Sequence, residues 1–353
     1  MTQFSTPELE PYLILAQETM RRVYSESSPQ EINEWLRVQV DRLAGTGSQE
    51  ARMTWESSFE VYEEIMAKRK ARAALPESER RNLTWPWETW RKLLDPLDPG
   101  MLMVLAAGDG GGKTLYAENL AEHWASQGLN VVFVHFELNR ALMLDRRTVR
   151  HTGIARRMLK AGELTNQQEA ERQRSNDRLR EWPGSITYVH TPGWNMERAL
   201  AEVRSIISEG LCDVFVIDYL EKAAASPRQL REFGNNIFAR EADNVEQIKA
   251  MSEATEIPAV LLAQLSKMGK QQTFGHLDRT AIRGAGEKTE KANIVLLLHR
   301  ESTDSEIVNV RVDKNTMGPC GSFEQMMFLT RFAVGDVTER ADGPPWGDAE
   351  IRF

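Results

Sequence analysis

The residues whose types and spacing point most directly to chemistry are Ala107-Gly108-Asp109-Gly110-Gly111-Gly112-Lys113-Thr114, which follow the apolar run Met101 to Ala106. Consecutive glycines let backbone N–H groups turn inward around a polyphosphate. A lysine at the end of the turn reaches the β- and γ-phosphates, and a threonine hydroxyl can hold Mg²⁺. The helix that must begin near Thr114 adds the positive end of its dipole. Gly108 to Leu115 is therefore the candidate nucleotide-binding segment, with ATP and Mg²⁺ as its expected ligands. The pattern G-x-x-x-x-G-K-S/T would place glycine where Ala107 stands. Alanine tolerates ordinary angles at a strand exit, and the positions that wrap the phosphate, Gly110 to Gly112, remain glycine.

Such a loop needs polar partners delivered from neighbouring strands. His135-Phe136-Glu137 ends one apolar run, and Glu137 would emerge beside the γ-phosphate, where a carboxylate can orient or deprotonate the attacking water. Val214 to Ile217 ends in Asp218, the arrangement a Mg²⁺-holding acid requires, because only the last side chain of a buried strand faces the nucleotide. A further run ends at Gln264, a neutral amide able to hydrogen-bond the γ-phosphate or the water. The arginine-rich stretch from Asn139 to Arg150 reads as a solvated helix face.

The elements that must position these groups follow from the apolar pattern. Strands are expected over Met101–Ala106, Val131–Phe136, Ile186–His190, Val214–Ile217, Ala259–Leu262, Ile294–His299 and Val308–Val312. Helices over Leu115–Gln127, Met196–Glu209 and Val245–Thr255 separate several of them. Short, continuously apolar strands alternating with helices predict a mostly parallel α/β sheet covered on both faces, with catalytic groups at the carboxyl ends of its strands. Residues 1–75 carry helical periodicity with few glycines and read as a small all-helical domain. Residues 76–92 read as a linker, 93–332 as the α/β domain and 333–353 as a C-terminal tail.

Composition bounds the rest. With 353 residues, 41% of them apolar and 27% charged, the chain can hold one large core and a smaller domain. No apolar run approaches a membrane span and the N-terminus lacks the pattern of a signal peptide, so a cytoplasmic location is expected. Cys212 and Cys320 stand far apart, without a zinc-like cluster, and read as buried small apolar residues. A net charge of −8 argues against a protein that coats nucleic acid over its whole surface, but not against one that grips a strand through local loops.

The ordered set Gly108 to Thr114, Phe136-Glu-Leu, Val216-Ile-Asp-Tyr-Leu, Leu262-Ala-Gln-Leu-Ser, Ile282-Arg-Gly-Ala-Gly and Val312-Asp-Lys-Asn-Thr-Met-Gly-Pro resembles the ATPase domain of DnaB-type replicative helicases over about Leu93 to Leu329. The resemblance implies a RecA-like fold, a ring of six subunits with ATP between neighbours, and single-stranded DNA in a central channel. It also implies roles. Lys113 and Thr114 hold phosphate and Mg²⁺, Glu137 is the catalytic base, Asp218 the metal-holding acid and Gln264 the γ-phosphate sensor. Lys314 is a lysine offered across the subunit interface.

The chain departs from the family two residues beyond Lys314, where an arginine finger is usual and Thr316 stands. Threonine supplies neither the charge nor the bidentate fork of a guanidinium, and such a finger contributes roughly 10³ to 10⁵ in rate. Arg311 or another arginine is then expected to substitute, or hydrolysis to be slow. The loops that face the channel in the family hold Arg228, Arg231 and Arg240, then Lys267, Lys270 and Arg279, which implies strand binding without base reading. The segment from Trp85 to Asp95 stands where the family linker packs on a neighbouring subunit, and the helical domain is the expected site of a protein partner. Two functions remain open at this level: a DNA-stimulated helicase motor, and an ATP-dependent oligomeric switch that binds partners without unwinding.

Overall fold

The computed structural model describes residues 10–24, 32, 33, 35, 36, 39, 58–75, 82–137 and 140–337. The chain forms two units, Met1–Ala74 and Leu75–Phe353. Among the described residues the helices are α1 (Glu10–Tyr24) and α2 (Ser58–Ala74) in the first unit. The second holds α3 (Glu88–Arg91), α4 (Lys113–Ser126), α5 (Arg140–Thr152), α6 (Arg156–Ala161), α7 (Asn166–Arg180), α8 (Met196–Ser208), α9 (Pro227–Phe233), α10 (Ile237–Thr255) and α11 (Ala285–Glu290). Trp55, residues 76–81 of the expected linker and residues 338–353 of the expected tail lie outside the described residues. In the first unit Arg22 lies over the Trp35 ring at 4.4 Å and pairs with Glu18 one turn earlier.

The second unit is built on one nine-stranded sheet in the order β3-β2-β4-β5-β1-β6-β7-β8-β9. The strands are β1 (Leu102–Ala107), β2 (Asn130–His135), β3 (Ser185–His190), β4 (Val214–Asp218), β5 (Ala259–Gln264), β6 (Ile294–His299), β7 (Ile307–Asn315), β8 (Gly321–Phe328) and β9 (Ala333–Asp336). The first six run parallel, and β6 to β9 continue as an antiparallel meander. Alternation along each strand divides the apolar side chains between two cores. Met103 and Leu105 of β1 face the layer containing α4, while Leu102 and Val104 face the layer containing α8 and α10. Every residue of β1 is buried, as a central parallel strand covered by helices on both faces requires.

The seven expected strands are all present, and two were not anticipated. In β8 the buried Gln325 interrupts the apolar pattern, and β9 is only four residues long, so neither gives a clear signal of period two. These strands change the reading of the aromatic segment. Trp85, Trp87 and Trp90 are buried in the chain's own core, where they cluster with Trp124 and Tyr116 at centroid separations of 4.9–6.1 Å. Burial is tolerated because every indole N–H has a partner. Trp85 donates to Leu94 O, Trp87 to Val334 O of β9, Trp90 to Gln325 Oε1 of β8 and Trp124 to Thr84 O. Asp336 accepts the backbone N–H groups of Glu88 and Thr89, which fixes the segment to the sheet edge. Cys212 is buried as expected; Cys320 is exposed, because it lies in the turn between β7 and β8.

The arginine-rich stretch also differs from a solvated face. Arg150 of α5 is 2% exposed and bonds Glu118 and Glu122 of α4, with its Nε–H donated to Phe332 O. Burial raises the Glu118 carboxyl, whereas for Glu122 it is outweighed by Arg150, His151 and Arg147, which hold the group near 2. The network anchors α5 on the helix that carries the phosphate loop. Removing the cation strands two carboxylates in the core. Arg150→Met is therefore expected to destabilise the domain by about 3–5 kcal/mol, read as a lowered urea midpoint; an unchanged midpoint would show that the carboxylates are satisfied by other means.

Candidate active site

Four adjacent strands, β2, β4, β5 and β1, end on the same edge of the sheet. Their carboxyl ends carry Glu137, Asp218, Gln264 and the glycine loop in that order. A parallel sheet aims all of these groups at one place. Asp109, Gly110, Lys113, Thr114, Glu137, Asp218 and Tyr219 line a single cleft.

The loop takes its shape from backbone angles only glycine adopts freely. Gly110 has φ +67° and Gly112 has φ +93°, the latter capping α4 in the left-handed region. Gly111 is limited by space. A Cβ there would lie 2.8 Å from Ala107 Cβ and 3.1 Å from Gly108 O. Lys113 and Thr114 open α4, and Leu115 is the first of its buried residues. The Lys113 ammonium lies over the Tyr219 ring at 4.6 Å. Arg300, in the connection after β6, holds the loop from outside through a 2.7 Å bond to Gly110 O, and is itself braced by bonds to Ser305 O and Thr303 O of its own connection. Sequence reading missed Arg300, because an arginine in a turn carries no signal of what it will clasp.

Asp218 is 2% exposed, and the Thr114 hydroxyl donates to its Oδ1 at 3.2 Å. Burial pushes its carboxyl up to about 7, against the lowering exerted by the Lys113 charge and the Thr114 hydrogen bond. A desolvated acid beside a hydroxyl is a donor set suited to Mg²⁺, which takes one or two protein oxygens and completes its shell with phosphates and water. Among the described residues no cluster of three or more His, Cys, Asp or Glu offers an all-protein cage. Glu137 is exposed and pairs with Lys222 at 3.1 Å. Partial burial raises its carboxyl, but hydrogen bonds from Tyr219 and Lys222 and the charges of Lys222 and Lys113 hold it below the usual glutamate range. The group is ionised at neutral pH, as a base must be.

Gln264 and Lys270 both donate to the carboxylate of Asp109, Lys270 at 2.6 Å. The backbone N–H of Gln264 donates to Glu221, and the same Glu221 oxygen accepts from Lys288 at 2.7 Å. Lys288 is buried and also bonds Glu241 of α10 and Arg283 O. The end of β5 is thereby tied to the helix that follows the Arg228 loop. Lys288 is fully buried although the Glu287-Lys288-Thr289 segment is polar in sequence.

The remaining expected residues are distributed unevenly. Lys314 is not brought to the cleft of its own chain; it donates to Thr289 O and Glu290 O at the end of α11. Arg311, expected as a substitute finger, lies over the Phe274 ring and donates to Leu277 O. Arg228 pairs with Glu197, Glu232 and Asp243 of its own unit. Arg279 pairs with Asp313. Arg231 and Lys267 are exposed and Arg240 is half-buried.

A glycine loop on β1, a buried acid on β4, a carboxylate after β2 and an amide ending β5 define a P-loop nucleotide-binding domain with the RecA-like sheet. A family model described as the DnaB-like helicase C terminal domain matches residues 88–334, and the chain belongs to that family. It is 25% identical over 238 residues to the replicative DNA helicase DnaB of Geobacillus stearothermophilus, covering 65% of this chain and 51% of that one. It is 24% identical over 260 residues to a probable plasmid replicative DNA helicase of Chlamydia trachomatis serovar L2 (strain ATCC VR-902B / DSM 19102 / 434/Bu), covering 72% and 55%. The chain thus spans about half the length of these curated relatives. Among solved structures, an ATPase domain aligns with a TM-score of 0.68 at 16% identity, covering 80% of this chain and all of that one. A DnaB-like replicative helicase studied with primase aligns at 0.66 and 15% identity, covering 93% and 76%.

Because the Gly111 contacts are largely backbone, the loop must open to admit a side chain. Gly111→Ala is expected to weaken ATP binding tenfold or more, about 1.4 kcal/mol, in an equilibrium titration; unaltered affinity would show that the loop relaxes freely.

Proposed function

We propose that this chain is an ATPase motor of the helicase type, which binds ATP with Mg²⁺ between the subunits of a ring and moves on single-stranded DNA. The observation that carries this reading is the convergence of Lys113, Thr114, Glu137 and Asp218 on one cleft at the carboxyl edge of the sheet. Lys113 and the loop amides hold the phosphates, Glu137 takes a proton from the attacking water, and Gln264 contacts the γ-phosphate. Asp218 and Thr114 hold Mg²⁺, which when bound neutralises charge on the phosphate oxygens. Lys314, turned away from its own cleft, serves a neighbour in a homo-oligomer, with six copies as the expected number.

For DNA the exposed Arg231 and Lys267, with Arg240, are the strongest candidates, and Arg228 acts by holding their loop in place. The helical unit is assigned to a protein partner, since Met20, Val23 and Tyr62 expose 56–59% of their surface. No helix among the described residues is long and apolar enough to cross a membrane, and the motor reading implies a cytoplasmic site of action.

Thr316 favours a second reading, in which the ring assembles on ATP and hydrolyses too slowly to translocate. Steady-state ATP hydrolysis with and without single-stranded DNA separates the two, with Lys113→Ala as the blank. The motor reading expects stimulation by DNA that is abolished in the variant; ATP binding without stimulated turnover would sink it in favour of the switch.

A further inference from the structure

Resting on the ATPase reading, we propose that Lys270 is a catalytic cation supplied from within the same subunit, shifting from Asp109 to the γ-phosphate when ATP fills the cleft and replacing the charge that Thr316 cannot provide. Three observations place it there. Its ammonium lies 2.6 Å from Asp109 Oδ2, and Asp109 lines the cleft with Lys113, Glu137 and Asp218. The other oxygen of that carboxylate accepts from Gln264, so the γ-phosphate sensor and Lys270 approach the same point from one strand end. The lysine stem lies against the loop, its Cγ 3.7 Å from where a Cβ on Gly108 would stand.

The base of that stem is fixed. Lys270 N–H donates to Ser266 O and Gly269 N–H to Ser266 Oγ, both at 3.0 Å. Gly269 is buried with no room for a Cβ, which would fall 2.5 Å from Ala281 O. A short turn thus presents the lysine to the loop, while its four-carbon stem retains the reach to re-aim a point charge.

The exchange follows from charge. Asp109 adds an anion to a site built for a polyanion, and its side chain is 69% exposed, free to turn toward water. The γ-phosphate carries more charge than a carboxylate and attracts the ammonium more strongly. The other nearby cations are engaged. Arg300 directs its N–H groups to carbonyls, Arg311 lies in its own loop and Lys222 pairs with Glu137. In hydrolysis the water oxygen bonds to the γ-phosphorus as the bond to the bridging oxygen breaks. The water proton passes to Glu137, the electron pair leaves with the β-phosphate, and Lys270 donates hydrogen bonds to the γ-oxygens without losing its proton.

The test is a double-mutant cycle on the full chain, measuring kcat, KM and ATP affinity at saturating single-stranded DNA for Lys270→Met, Lys270→Arg, Asp109→Asn and the pair Lys270→Met with Asp109→Asn. Lys270→Met is expected to lower kcat about 10²-fold or more, the effect of deleting one transition-state donor. ATP affinity should change by no more than about threefold, under 1 kcal/mol. Lys270→Arg should keep most of the rate, and the double variant should stay as slow as Lys270→Met. Recovery of the double variant to the rate of Asp109→Asn would reduce Lys270 to a neutraliser of Asp109 and overturn the proposal. An unchanged kcat with weaker strand binding, and a salt slope lower by about one, would overturn it in favour of a DNA contact. A wild-type chain with no Lys113-dependent hydrolysis would refute the ATPase reading itself, an outcome distinct from a fast wild type whose Lys270→Met variant is equally fast.

Discussion

The carboxylate of Asp218 is buried at the mouth of a parallel sheet, and much of the site can be understood as an answer to that. An ionised group there loses its water, so it must meet a cation, a hydroxyl or both. Thr114 provides the hydroxyl and Lys113 a favourable charge, while β4, paired on both sides by β2 and β5, holds the side chain buried at the edge of the cleft. The loop must then bend tightly enough for Thr114 to reach back across β5 toward β4, which only a backbone with φ of +67° and +93° at Gly110 and Gly112 permits. Loop conformation and helix start are in this sense one constraint.

That constraint explains what was legible in the sequence. Strands buried on both faces leave unbroken apolar runs, and a polar residue ending each run is visible without knowing the fold. The positions of Glu137, Asp218 and Gln264 were readable for this reason, as were the strands that carry them, while Lys113 and Thr114 stood out through the glycines before them. The antiparallel half was less so. In β8 Gln325 is fully buried because its amide meets the Trp90 N–H, and a buried polar residue with a distant partner looks the same in sequence as an exposed one.

Charges were the hardest to read, since sign and spacing do not reveal partners. Arg150 and Lys288 are among the most buried large side chains, yet both sit in segments that look solvated. Each is accepted in the interior because two carboxylates meet it there, so its burial depends on residues far away in the chain. Arg228 is a similar case, an arginine on a polar loop whose three acid partners within its own unit the sequence does not reveal.

Once these internal pairs are set aside, few cations on the described loops after β4 and β5 are left for external anions, which bears on how a chain of net charge −8 could hold a nucleic acid. Long-range attraction from the whole surface is weak, so on the motor reading affinity would come from short-range contacts on the loops after β4 and β5. Those loops grow from the strand ends that carry Asp218 and Gln264 and are tied together through Glu221, Lys288 and Glu241. Lys270, on the loop after β5, would serve a strand only if Asp109 and the nucleotide leave it free. With Lys270 held at the phosphate loop and Arg279 paired with Asp313, Arg231 and Lys267 are the exposed charges of these loops without an ion pair among the described residues, few enough that on the motor reading strand binding would rest on the number of copies in a ring more than on the strength of any one loop.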